Sequence, residues 1–118
     1  MIRKAVLILV VIVLSFSDEY IIKKIKDGGT IRNISIPINK YRNNNKVGII
    51  VKFNSNRIDI KEFELTYSLK FIKKLSIGYY IFSNNSNLSD IDLVGKIIEK
   101  ERDIETIKVN ERINPTIL

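Results

Sequence analysis

Between residues 47 and 109 the spacing of apolar residues changes from every second position to every third or fourth and back, twice over, which limits the folds open to the chain. Val47, Ile49, Val51 and Phe53 alternate with Gly48, Ile50 and Lys52, so one face of this strand is wholly apolar, and Asn54-Ser55-Asn56 ends it. Ile60, Phe63 and Tyr67 follow at helical spacing, with Lys61, Glu62 and Glu64 between them and Asp59 as the N-cap. Residues 69–75 read as a strand with Leu69 and Phe71 on one face and Lys70 and Lys74 on the other. Ser76-Ile77-Gly78 turns this strand into the aromatic strand Tyr79-Tyr80-Ile81-Phe82. After the polar loop Ser83-Asn84-Asn85-Ser86-Asn87, Ser89 and Asp92 resemble a capping box, and Ile91, Val94, Ile97 and Ile98 form one stripe, predicting a helix over 90–101. A last strand is expected over 104–109. The order β-α-β-β-α-β predicts an α+β, ferredoxin-like antiparallel sheet with two helices on one face and the other face free.

Residues 18–46 read as a smaller unit. Tyr20-Ile21-Ile22 and Ile25 precede the reversal Asp27-Gly28-Gly29, and Ile34, Ile36 and Ile38 then alternate with polar residues or Pro37. This predicts an extra N-terminal β-hairpin with Pro37 at an edge, followed by the polar connector Tyr41-Arg42-Asn43-Asn44-Asn45-Lys46. Lys23, Lys24 and Lys26 are read as a solvated face.

The start of the chain reads as a targeting segment. Arg3 and Lys4 are followed by ten apolar residues, 5–14, and Ser15-Phe16-Ser17 places small residues where a signal peptidase cuts. A bilayer span needs about 20 residues, so this run is short for an anchor. The expectation is a signal peptide over 1–17, and a secreted or periplasmic bacterial protein with no membrane attachment after cleavage. The 118-residue chain has no His and no Cys, which rules out a Cys nucleophile, a Ser-His pair, a zinc site of the His/Cys type and any disulfide. No metal or cofactor is expected. The formal charge of +7 falls to +5 without Arg3 and Lys4. Ile (24), Lys (14) and Asn (12) are all inflated, as an AT-rich coding sequence would make them, which accounts for part of that charge.

Basic charge on such a fold raises RNA binding, but the Lys/Arg-Gly-Phe type signature of RNA-recognition modules is missing, and an exported protein does not meet RNA. Tyr79, Tyr80 and Phe82 could stack bases, but an aromatic strand of this kind is read as core on one side. Acyl phosphatase chemistry would need a phosphate cradle around Arg57, and Asn54-Ser55-Asn56 lacks the glycines for one. Asp90 and Asp92 are read as complementing a helix dipole, and Glu99 and Glu101 as a solvated helix face. No catalytic residue is proposed, and an enzyme is not expected.

Three segments in order carry a resemblance. Gly48-Ile49-Ile50-Val51-Lys52-Phe53, the hairpin Leu69-Lys70-Phe71-Ile72-Lys73-Lys74-Leu75-Ser76-Ile77-Gly78-Tyr79-Tyr80-Ile81-Phe82, and Asp103-Ile104-Glu105-Thr106-Ile107-Lys108-Val109-Asn110 are together similar to the propeptide, or inhibitor, domain of subtilisin-like serine proteases. The resemblance covers residues 47–118. It implies a stand-alone propeptide-like inhibitor or folding chaperone acting on a subtilisin-like serine protease, as a monomer or in a 1:1 complex. The sequence stops at Leu118, eight residues after Asn110, about where such propeptides are cut from their protease.

On that resemblance the tail over 111–118 enters the active-site cleft like a product. Ile113, Asn114, Pro115, Thr116, Ile117 and Leu118 would pair with the substrate-binding strands, Pro115 and Leu118 would address apolar subsites, and the helix-free sheet face would rest on the protease. The family's last strand commonly caps helix N-termini of the protease with acidic groups. Here Lys108 stands in place of the usual Glu, which leaves Asn110, helped by Glu111, for that contact. The competing expectation is an exported ferredoxin-like binding domain without a protease partner, or a propeptide fragment detached from its protease.

Overall fold

The computed structural model describes residues 19–43 and 45–111. The expected signal segment and residues 112–118 lie outside them. Strand β1 (Tyr20–Asp27) turns through Gly28 and Gly29 into β2 (Thr30–Pro37), and a short helix α1 (Ile38–Asn43) follows. The remaining elements are β3 (Ile49–Phe53), α2 (Ile60–Tyr67), β4 (Leu69–Lys74), β5 (Tyr79–Asn84), α3 (Asp90–Lys100) and β6 (Ile104–Val109). One six-stranded sheet runs in the order β2-β1-β6-β3-β5-β4, and every neighbouring pair is antiparallel. The expected α+β, ferredoxin-like arrangement is present, and the N-terminal hairpin extends its sheet past β6.

Cross-strand register explains the core. Ile49 stands opposite Phe82 on one side and Val109 on the other, and Val51 stands opposite Tyr80 and Ile107. These alternate residues meet the stripe of α3 formed by Leu93, Val94 and Ile97, all buried with Ile49, Val51, Phe82, Ile104 and Ile107. Phe63 of α2 closes the other half, edge-on to Phe53 at a centroid distance of 5.1 Å and 5.4 Å from Phe82. Burying side chains of this size stabilises by about 1.5–3 kcal/mol each before entropy is counted, so a cysteine-free chain needs no covalent staple.

The helix ends follow the sequence signals. The Asp59 carboxylate accepts from the Glu62 N–H at 3.2 Å, and the Ser89 hydroxyl accepts from the Asp92 N–H at 3.2 Å. Ser68 closes α2 in the left-handed conformation, with φ 54°, and its N–H donates to the Glu64 carbonyl.

Several details differ from expectation: Ile38 opens α1 instead of continuing the second strand, and Val47 precedes β3 and is exposed. The segment read as a polar connector begins with α1, which covers Tyr41, Arg42 and Asn43. In β4 an irregularity between Phe71 and Lys73 shifts the register, so that Lys73 stands opposite Ile81 and Lys74 opposite Tyr80. Lys70 therefore shares its face with Lys73, while Lys74 turns to the helix side and lies over the Tyr80 ring at 5.2 Å.

Candidate functional site: the open sheet face and the end of β6

Helices α2 and α3 pack on the face that carries Ile49, Val51 and Phe82, so the intervening residues form the open face. One row crosses four strands as Lys108, Ile50, Ile81 and Lys73. The next row is Lys52 and Tyr79, continued by Thr106, which is buried and takes the Gly28 N–H of the hairpin turn, and Lys70 stands beside Ser83. Lys52 is held in place, with its Nζ 3.6 Å from Glu105 and 5.4 Å from the centre of the Tyr79 ring. Lys70 and Lys73 are exposed; Ile50, Ile81, Tyr79 and Lys108 are half-buried. Of the three aromatic residues weighed for base stacking, Tyr79 alone lies on this face. Tyr80 and Phe82 point into the core.

The sheet's fourth core strand leads toward the expected tail. The Asn110 N–H donates to the Gly48 carbonyl at 2.9 Å and holds the end of β6 against the start of β3. Glu111 is paired with Lys40 of α1 at 2.9 Å, both side chains more than half exposed. Such a pair contributes on the order of a few tenths of a kcal/mol, so Glu111 can exchange it for another partner. The tail residues Ile113, Asn114, Pro115, Thr116, Ile117 and Leu118 lie outside the described residues.

Two carboxylates read as helix-dipole complements have larger roles. Asp90, 6% exposed, accepts from the Val47 N–H at 2.7 Å, the Gly48 N–H at 3.2 Å and the Asn84 amide at 3.0 Å. It clamps the first turn of α3 to the start of β3. Asn84 completes the network by donating to the Leu88 carbonyl and accepting from both the N–H and the hydroxyl of Ser86. Asp92 binds the hairpin instead. It takes the Tyr41 hydroxyl at 2.5 Å and lies 2.8 Å from Lys23, whose ammonium also sits 5.0 Å from the Tyr41 ring centre. Lys23 is thus one leg of a latch and not part of a solvated face. Burial opposes the ionisation of Asp92, but hydrogen bonds from Lys23, Tyr41 and Ser89 outweigh it and hold the carboxyl below its usual range. Hydrogen bonding to Asp92 likewise raises Lys23 and Tyr41.

Between the hairpin and the rest of the molecule lies a cleft of about 520 Å³, lined on its apolar side by Ile25, Ile34, Ile36, Val47, Ile91 and Val109. Arg57, considered for phosphate binding, is exposed in the loop before α2, where its N–H donates to the Ser55 hydroxyl at 3.1 Å.

The geometry thus combines an open, lysine-bearing sheet face with the end of β6, held beside the start of β3 at Asn110. Compared with family models, with characterised proteins and with solved structures, the chain matches none of them.

Proposed function

We propose that this protein is a propeptide-like inhibitor, or a folding chaperone, of a subtilisin-like serine protease. The observation that carries the reading is the open sheet face, which adjoins the end of β6 so that one surface and one terminal segment can engage a partner together. The sheet supplies a preorganised platform, and protease–inhibitor contacts bury about 800 Å² on each partner. Residues 113–118 would add their backbone to the substrate-binding strands of the protease. Pro115 and Leu118 would address apolar subsites of the cleft. A rigid sheet lowers the entropy cost of presenting the segment. The protein itself then needs no nucleophile, metal or cofactor.

The test is titration of the purified chain against the subtilisin-type proteases of its own genome. Stoichiometric inhibition or accelerated refolding is expected. If deleting Thr116, Ile117 and Leu118 leaves inhibition unchanged, insertion of the tail into the cleft is wrong. Lack of binding to every such protease sinks the reading as a whole.

A further inference from the structure

We propose that the open sheet face docks on an acidic protein surface, which, on the inhibitor reading above, is a surface of the protease outside its cleft. The charge of the molecule is divided between its layers. On their open face the four strands β3, β4, β5 and β6 carry Lys52, Lys70, Lys73 and Lys108, with Glu105 beside Lys52 as the one carboxylate of these strands and Lys74 turned to the helix side. Helices α2 and α3 carry three lysines, Lys61, Lys96 and Lys100, against five carboxylates. The sheet layer is therefore positive, and the layer behind it is not.

The pattern on the open face also narrows the class of partner. Ile50 and Ile81 are adjacent at its centre and half-buried, with Lys108 at one end of their row and Lys73 at the other. An apolar centre inside a charged rim is the anatomy of a protein–protein contact. Single-stranded nucleic acid needs aromatic platforms for its bases, and this face of the four strands offers Tyr79 alone, already engaged by Lys52. A lipid surface calls for apolar side chains that project beyond the lysines, whereas these two isoleucines are half-buried in the sheet. Lys108 sharpens the point. A lysine there repels a helix N-terminus and attracts carboxylates or a helix C-terminus, so the surface it meets is negative.

The experiment measures binding of the full chain to co-encoded subtilisin-type proteases whose catalytic serine has been replaced by alanine, so that nothing is digested. Raising NaCl from about 50 to 300 mM is expected to weaken binding about tenfold. Lys70→Glu, Lys73→Glu and Lys108→Glu together are expected to weaken it by about thirtyfold at low salt and to remove that salt dependence. Lys61→Glu with Lys96→Glu, exposed on the helix layer, should change affinity less than about twofold. Lys73→Ala alone, at an exposed position, should give a smaller loss of the same sign should the triple variant unfold.

Tight binding that ignores both salt and the triple reversal overturns the acidic docking surface and leaves the inhibitor reading standing. If no protease binds, both fall. Vesicles with about 30% phosphatidylglycerol and single-stranded RNA serve as competing probes. Capture by either through the same lysines, with no protease bound, assigns the face to lipid or nucleic acid and overturns the proposal.

Discussion

Lys23 Nζ lies 2.8 Å from Asp92 Oδ1, and this pair ties the second residue pair of the N-terminal hairpin's inner face to the first turn of α3. Each side chain is about one quarter exposed, at 26%, so the pair is screened less than a surface ion pair. Asp92, on the first turn of a helix, also complements the helix dipole.

Because Asp92 titrates lower in the folded protein than in the unfolded chain, it contributes stability above its ordinary value of 3.8, and this is lost as pH falls through the folded value. Lys23 is raised, so its contribution is full below its ordinary 10.5 and is lost as pH rises through the folded value. The latch is accordingly strongest between about pH 4 and pH 10. Asp92→Asn should cost about 1 kcal/mol at pH 7 and less at pH 2, because the contribution of the carboxylate fades as pH falls below its ordinary range toward the folded value. Urea unfolding at the two pH values checks this; an equal loss at both would show that charge has no part in the latch.

Gly48 has φ +93°, and a Cβ built on it would lie 2.4 Å from the Phe82 carbonyl oxygen. Backbone strain and overlap act together, at a position whose N–H is already committed to Asp90. Gly48→Ala is expected to destabilise by roughly 2–4 kcal/mol. Thermal melting followed by circular dichroism measures it, and a melting temperature within a degree or two of wild type would contradict the geometry.

Ser68 makes the opposite case. It is exposed and holds φ 54°, the only positive φ outside glycine among the described residues. Ser68→Gly relieves the left-handed strain but loosens the unfolded chain, so the net gain should be small, about 0.5 kcal/mol. A loss of stability in the same melting experiment would mean that the serine side chain holds the turn before β4.

What could be read from the sequence was what depends on near neighbours. The caps at Asp59 and Ser89, the stripe of α3 and the alternation in β3 are all written within a few residues. The open face followed from that alternation, because whatever is not on the apolar side of Ile49 and Val51 must face away. The irregularity between Phe71 and Lys73 has no local signature, and strict alternation from Lys70 places Lys74, not Lys73, on the open face. The docking of the hairpin was out of reach for another reason. It depends on the Gly28 N–H donating to the Thr106 hydroxyl, 78 residues away, and on Tyr41 meeting Asp92, 51 residues away. Tyr41 reads as connector because Lys40, Arg42 and Asn43 surround it, and its partner supplies what the local sequence does not.

The hairpin's position gives the last prediction. In the sheet order β1 lies beside β6, where the Gly29 N–H donates to the Glu105 carbonyl at 2.7 Å and Lys26 stands opposite Ile107. Without β1 and β2, β6 would become an edge strand with unpaired backbone groups, next to the apolar row that now lines the cleft. An edge of that kind recruits other strands. A chain beginning at residue 45 retains β3–β6 and both long helices, and is expected to keep its helical signal while losing about 2–4 kcal/mol from burial of Ile25 and the latch. It should also self-associate in a concentration-dependent way, which sedimentation velocity reads directly. A truncated chain that stays monomeric at about 100 μM would mean that β6 is protected by its own side chains, and that the hairpin contributes stability without guarding the edge.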